Sequence, residues 1–401
     1  MNIGILRETR RWNDRRTAIT PEVAKLIREN FPQVRVFAQS SKVRIFSDDD
    51  YRMAGVEVVD DISHCDVLIG VKEVADDALI DGKTYVMFSH VAKKQAYNQR
   101  FFREMARKNI TLIDYEYLTD RHGDRLVAFG FWAGVVGAYY AFQGVAKRFG
   151  GLALPGPEVC RDLQELHHQL RALTMPPLKV LLTGGGRVAA GALEIIYELG
   201  IKEVSPRDFL ERDYHHAVFS RLDPEDYVAR KTGKYTRDDF YSHPQQYEST
   251  FLPYVSAADV FIPCHFWDRE SPHFFTPEHL QSANFNISLI ADVSCDVPGP
   301  IPTTIRTSTI ELPFYDVDPK DLSEKPAFSS ARHITVMAVD NLPTALPLDA
   351  SRTFSLDFYY QVLPALFGSD KDGIIRRATI LKAGKLTERF AYLNDFLEGN
   401  N

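Results

Sequence analysis

Residues 179–200 read KVLLTGGGRVAAGALEIIYELG, and this stretch restricts the fold more than any other in the 401-residue chain. An apolar β-rich run ends on three glycines and passes at once into residues with a helical apolar period, which predicts a strand, a tight turn and a helix. Gly184, Gly186 and Ala189 fit the spacing G-x-G-x-x-A. The first glycine permits the turn, the second lets a ligand approach the backbone, and the alanine lets helix and strand pack closely. The helix N-terminus then presents unsatisfied N–H groups, which suit a pyrophosphate. Arg187 and Val188 open this helix and are counted with the glycines as cofactor-side positions. A tight turn without a ligand is the alternative; the flanking strand and helix favour a dinucleotide.

The nature of that dinucleotide rests on a later residue. About 20 positions beyond such a cradle, an NAD site offers a carboxylate at the end of the second strand. Here the chain reads KEVSPRDFL. Asp208 suits ribose hydroxyls and points to NAD, whereas Ser205 and Arg207 suit a 2′-phosphate and keep NADP open.

A full domain's worth of sequence stands before the cradle, and a chain this long exceeds what one core usually serves, so two domains are expected. The first 120 residues alternate β-rich runs (NIGILRE, VRVFAQ, DVLIGV, TYVMFS, ITLIDYE) with helical ones (PEVAKLIRENF, KKQAYNQRFFREMARKN). Such alternation predicts an α/β fold with a parallel sheet. Thr20-Pro21-Glu22 marks a helix start through a capping hydroxyl, a proline and an acid in the first turn. The stretch VAFGFWAGVVGAYYAF at 127–142 holds three glycines and, at 16 residues, is too short to span a bilayer; a span needs roughly 20. It reads as a buried helix. Later strands are expected at 258–264, 287–294 and 333–340, and the polar segment 206–256 reads as an insertion, being too long for an ordinary connection.

Composition narrows the function. Hydrophobic residues make up 45% and charged residues 25%, which fits an ordered globular chain. A net charge of −7 argues against a general nucleic-acid binder, because phosphate affinity needs basic surface. The opening MNIGILRETRRWNDRR lacks the apolar run of an export signal. Four cysteines without a CxxC fit a reducing compartment, and a cytoplasmic location is expected. Cys264 and His265 are adjacent without spaced partners, so no metal site is expected. No G-x-S-x-G elbow occurs.

A nicotinamide enzyme needs groups that move protons beside the ring, and two candidates end expected strands: Lys72 in DVLIGVKEV and His90 in YVMFSHVAKKQ. Strand ends are where open parallel sheets bind ligands. A lysine kept from water or beside another cation gives up its proton more readily, and histidine needs less tuning. Surface or core roles are the alternatives for each. Arg15 and Arg16, just before the Thr20 helix start, suit a carboxylate, since a guanidinium fork can grip one with two hydrogen bonds; a solvated basic loop is the other reading.

Together these stretches carry a resemblance. ILRETRRWNDRRTAITPE resembles the opening of the alanine dehydrogenase and pyridine nucleotide transhydrogenase superfamily, and GVKE followed by FSH resembles its paired catalytic lysine and histidine. TLIDYEYL, RLVAFGFWAG, ADVSCD and AVDNLPTALPLDAS are similar to the lysine-forming saccharopine dehydrogenases, and the similarity runs to about residue 370. The resemblance implies an α/β chain of two Rossmann-like domains, with parallel sheets facing across a cleft and the first domain discontinuous. Residues 1–133 and 334–401 would bind substrate, and 134–333 the dinucleotide. It further implies that Lys72 and His90 carry acid/base chemistry, that Arg16 and Arg125 bind substrate carboxylates, and that Glu73, Lys93, Glu116, Phe129 and Asp340 line the cleft. Asp292, in ADVSCD, would join the cofactor side.

The implied reaction oxidises the C–N bond of saccharopine with NAD to give lysine and 2-oxoglutarate, or runs in reverse. Two departures from the pattern, the long 206–256 segment and VSPRDF in place of a plainer acidic strand end, leave the amine, the keto acid and NADP open. An alanine dehydrogenase-like enzyme using free ammonia is the second reading, and a dinucleotide sensor without turnover is the third. Partners are expected to be small molecules, with neither nucleic acid nor membrane, in a monomer or homo-oligomer.

Overall fold

The computed structural model describes residues 1–9 and 14–399. The chain forms two compact units, Met1–Phe129 with Pro347–Asn401, and Gly130–Leu346. In the first, β1 (Asn2–Ile5), β2 (Arg35–Gln39), β3 (Glu57–Val59), β4 (Val67–Lys72), β5 (Thr84–Phe88) and β6 (Thr111–Asp114) run parallel. The second unit contributes β7 (Lys179–Thr183), β8 (Lys202–Glu203), β9 (Val218–Leu222), β10 (Val228–Arg230), β11 (Tyr247–Ser249), β12 (Val260–Pro263), β13 (Leu289–Ala291), β14 (Phe314–Val317), β15 (Glu324–Lys325) and β16 (Ile334–Met337). The returning chain adds β17 (Thr379–Lys382) and β18 (Lys385–Leu386) as an antiparallel edge beside β6.

In each eight-stranded sheet the chain builds on one side of its first strand and then crosses to the other. The first has the order β18, β17, β6, β5, β4, β1, β2, β3, so the chain winds outward from β1 and then returns to place β4 on its other side. The second has the order β15, β14, β16, β13, β12, β7, β9, β8, with the reversal between β7 and β12. Loops on either side of a reversal diverge and leave a crevice at the carboxyl ends of the strands, which is where such sheets bind ligands. Lys72 ends β4 at one reversal, and Gly184 follows β7 at the other.

From Gly130 on, the apolar 127–142 stretch lies in the 20-residue helix Gly130–Phe149, which packs against the helix Arg187–Glu198. Glycine sets this approach: a Cβ on Gly134 would lie 1.8 Å from the Val188 carbonyl oxygen, and one on Gly191 1.9 Å from that of Phe131. Among the described residues no helix is long and apolar enough to cross a membrane.

Several elements differ from the sequence expectation. The segment 206–256 contains β9, which pairs in register with β7 over five residues, so part of it is the sheet itself. Beyond β9, residues 224–249 form a small module, in which β10 and β11 pair antiparallel around a short helix, Arg237–Ser242. β9 has little signature in the sequence, since AVFSRL is short and flanked by polar residues. The long helix expected over 93–109 is confined to Gln99–Arg107, since Lys94 takes a left-handed backbone conformation that stops a helix. β16 pairs with β13 and β14, so the chain leaves the second unit after this strand, at Leu346, rather than before it at 333.

Candidate active site

In the first unit the carboxyl ends of β4, β5 and β6, three adjacent parallel strands, bring ionisable side chains together. Lys72 Nζ lies 3.3 Å from His90 Nε2, and His90 Nδ1 lies 2.8 Å from Glu73 Oε1. Both contacts are satisfied when a neutral imidazole donates Nδ1–H to Glu73 and accepts at Nε2 from the lysine. Glu73 is buried, 5% exposed, and burial disfavours its charge. The hydrogen bond from His90 and the charges of His90 and Lys72 outweigh that cost and hold its carboxyl below the ordinary value.

The backbone of His90 is left-handed, with φ 53°, a conformation that non-glycine residues adopt at a cost and that must be held by its surroundings. The adjacent Ser89 supplies the hold. Its N–H and hydroxyl both bond Asp114 Oδ2, and its carbonyl accepts from the buried Asn98 Nδ2 at 3.2 Å. Burial pushes the Asp114 carboxyl up, against the pull of these hydrogen bonds.

A second cluster surrounds Glu116, which follows β6. Lys93 Nζ lies 3.2 Å and Arg125 Nη2 3.5 Å from its Oε1. Burial opposes its charge, but Lys93 and Arg125, then His90, hold the carboxyl below the ordinary range. Arg16 is buried, bonds Asp14 through Nε at 3.0 Å and Nη2 at 2.7 Å, and lies over the Phe129 ring at 4.3 Å. Phe129 in turn stacks on Phe354 at 4.4 Å. The structure therefore joins Lys72, His90 and Glu73 in one line, Lys93, Glu116 and Arg125 in a second, and Arg16 with Phe129 in a third.

Sequence reasoning missed the residues that hold these groups. Glu8 follows β1 across the sheet reversal and accepts the backbone N–H groups of Val71 and Lys72 at 2.8 and 2.9 Å. Asp14, Asp114 and Ser89 were likewise not singled out. Asp14 lay in view in NDRR, two residues before Arg16.

The cradle in the second unit has the expected form. Gly184 has φ +106°, and a Cβ there would lie 2.5 Å from the Cys264 carbonyl oxygen, whereas one on Gly186 would meet open space. Gly186 caps the helix Arg187–Glu198, and having no side chain it places no capping group over the helix N-terminus. These observations fit a dinucleotide pyrophosphate. Gly184, Gly186, Arg187 and Val188 line a pocket of about 340 Å³ together with His265. The His265 imidazole is bonded to Thr183 at 2.8 Å, and burial lowers its pKa to about 3, leaving it neutral.

Three acidic candidates are not among the residues lining this pocket. Asp208 is not at a strand end: it sits in the first turn of the exposed helix Pro206–Glu211 and pairs with Arg212 at 2.8 Å. The strand beside β7 is β9, and the acid at its end is Asp223, which lines the cradle pocket and accepts from Arg221 at 2.9 Å. Asp292 is buried, and its carboxylate accepts from Ser294, Cys295 and Thr304. It organises the turn after β13. Asp340 belongs to the second unit and is exposed after β16. Cys264 and His265 gather no further ligands, and the described residues contain no group of three or more metal-ligating side chains.

Residues 4–136 match the family described as alanine dehydrogenase/PNT, N-terminal domain. The chain is 28% identical over 422 residues to the mitochondrial alpha-aminoadipic semialdehyde synthase of Mus musculus, covering 91% of this chain and 44% of that protein. It thus spans less than half the length of that relative. It is also 28% identical over 360 residues to the NAD(+), L-lysine-forming saccharopine dehydrogenase of Emericella nidulans, covering 85% of this chain and 86% of the relative. Among solved structures an L-alanine dehydrogenase shares the fold, with a TM-score of 0.67, 16% identity and complete coverage of both chains. Residues 4–136 thus match an alanine dehydrogenase/PNT N-terminal domain, and the chain is similar over most of its length to lysine-forming saccharopine dehydrogenases.

Proposed function

We propose that the chain is a nicotinamide-dependent dehydrogenase that oxidises saccharopine to lysine and 2-oxoglutarate, or catalyses the reverse condensation. The observation that carries this reading is the continuous line from Lys72 through His90 to Glu73 at the carboxyl ends of β4 and β5. A bound nicotinamide cofactor, held at its pyrophosphate by Gly184, Gly186, Arg187 and Val188, would supply the hydride acceptor for the substrate α-carbon. The protein must manage the protons. His90 Nε2 can accept one from Lys72 Nζ, while Glu73 stabilises the resulting imidazolium across 2.8 Å. The neutral lysine then removes the proton from the substrate's secondary amine, whose nitrogen lone pair assists departure of the hydride. Once His90 has released that proton to solvent, it takes a proton from water as the water attacks the imine carbon, and returns this proton to nitrogen as the carbinolamine breaks. Lysine leaves with the amine, and 2-oxoglutarate with the new carbonyl. Arg16 and Arg125 are assigned to substrate carboxylates, with Lys93 and Phe129 completing the lining.

The choice of amine rests on acidic side chains. Glu116, which already gathers the cations of Lys93 and Arg125, is assigned to the distal ammonium of the lysine moiety, which the small product of an alanine dehydrogenase lacks. NAD is proposed over NADP because Asp223 stands at the end of β9, where a carboxylate accepts ribose hydroxyls and repels a phosphate. A cytoplasmic location completes the proposal, in keeping with four cysteines spaced without a CxxC.

The test is NADH consumption by the purified protein with 2-oxoglutarate and lysine, in parallel with pyruvate and ammonia, each repeated with NADPH. Turnover with 2-oxoglutarate and lysine is expected. Turnover with pyruvate and ammonia alone would replace this reading with the alanine dehydrogenase one.

A further inference from the structure

The module between β9 and β12 contributes to the cradle pocket from outside the strand-turn-helix motif. Besides the glycines, the pocket is lined by Asp223, Tyr227, Arg237, Tyr241 and Phe266. Arg237 and Tyr241 lie one helical turn apart on the short helix Arg237–Ser242, and the guanidinium carbon stands 5.9 Å from the Tyr241 ring centroid. Phe266 follows β12, on the other side of β7 from Asp223.

The exposure of these side chains is unusual for their chemistry. Phe266 is 74% and Tyr241 47% exposed, although each borders a concave pocket. The residue preceding Tyr241, Phe240, is only 5% exposed and belongs to an aromatic core with Tyr227, Tyr247 and Phe251. This anchor fixes the helix, and the next side chain is turned about 100° around the axis, away from the core. The module is held further by Arg230 on Asp239 at 3.0 Å and by Tyr247 Oη donating to Asp239 Oδ2 at 2.7 Å. The platform is thus built in advance, with an apolar ring and a flat cation presented together.

We infer that Arg237 and Tyr241 form a stacking platform for the adenine of the dinucleotide, with Phe266 bordering the same space. The inference rests on the nucleotide-binding reading of the cradle and extends it. With the pyrophosphate at the helix Arg187–Glu198 and the ribose at Asp223, the base comes beyond β9, where the module stands. Adenine has an extended π face, which a tyrosine ring and a guanidinium plane both accept. The carboxylate of Asp223, which lines the same pocket, disfavours a 2′-phosphate there, so Arg237 is assigned to the base.

The experiment is calorimetric titration of the full chain with ADP-ribose, NADH and NADPH, comparing wild type with Arg237→Ala, Tyr241→Ala and Tyr241→Phe. Thermal melts check that each variant is folded. Each alanine variant is expected to weaken ADP-ribose and NADH about tenfold, whereas Tyr241→Phe, which keeps the ring, stays within about twofold of wild type. Unchanged ADP-ribose affinity in both alanine variants would overturn the platform and leave the cradle standing. A loss confined to NADPH would make Arg237 a phosphate ligand and would also overturn it. If wild type bound neither ADP-ribose nor NADH, the nucleotide reading itself would fall, and the platform with it.

Discussion

Replacing Glu73 with glutamine tests the proton line where the structure is most specific. The substitution keeps the size of the side chain and removes its charge. Glu73 Oε1 lies 2.8 Å from His90 Nδ1, and the carboxylate is 5% exposed, so little water stands by to replace it. A hydrogen bond to a charged group contributes about 1.5–3 kcal/mol. If the carboxylate stabilises an imidazolium formed before hydride transfer, the barrier rises by the same amount, which slows turnover about 10- to 150-fold. Glutamine adds a second penalty, because its amide can donate to Nδ1 and turn the Nε2–H toward Lys72. Glu73→Ala, which imposes no tautomer, is therefore expected to retain more activity than Glu73→Gln. The assay is single-turnover NADH formation from saccharopine, with cofactor affinity measured separately and expected to hold. The stability of the folded chain should respond as well. The Glu73 carboxyl lies below its ordinary 4.5 when folded, so its contribution is present above that pH and is lost as pH falls through the folded value. The stability gap between wild type and Glu73→Gln should close over that acidic range. A Glu73→Gln enzyme turning over within about twofold of wild type would refute the proton line, since it lies below the smallest loss the hydrogen bond allows.

Other perturbations follow from the same geometry. Lys72→Met should slow hydride transfer by about 10²–10⁴-fold with NADH affinity nearly intact, as measured by stopped flow and titration; loss of cofactor binding would count against its assignment. Gly134→Ala or Gly191→Ala forces a methyl within 2 Å of a carbonyl oxygen on the facing helix, and urea unfolding should show a loss at or above the usual overpacking range of about 1–3 kcal/mol. Burial, together with the negative charge of Asp14, pushes the Glu8 carboxyl up to about 8. The folded chain then holds that proton more tightly than the unfolded one, so stability falls as pH rises from about 4.5 toward 8. Glu8→Gln should flatten that decline in melting temperature. Cys264 is buried with its thiol pKa pushed far up, whereas Cys295 is partly exposed. A thiol reagent near neutral pH should modify Cys295 first.

The amino-acid sequence alone determined the features that are local. The cradle was legible because a strand, its glycines and a helix are consecutive, and their conformations follow from short-range sterics. Lys72 and His90 could each be placed at a strand end because apolar β-rich runs stop there. Tertiary structure decided whatever depended on strand order. Asp208 looked like the ribose acid because it follows the cradle at the usual distance, but β9 inserts between β7 and β8 and brings Asp223 to that position. No periodicity records which of two short strands pairs with a third, because pairing depends on long-range contacts between their faces. For the same reason Glu73 read as a cleft residue until folding set its carboxylate against His90, 17 positions along the chain. The buried Asp114, Ser89 and Asn98 that hold the left-handed backbone of His90 have no signature in the sequence, since their value comes only from being satisfied by one another away from water.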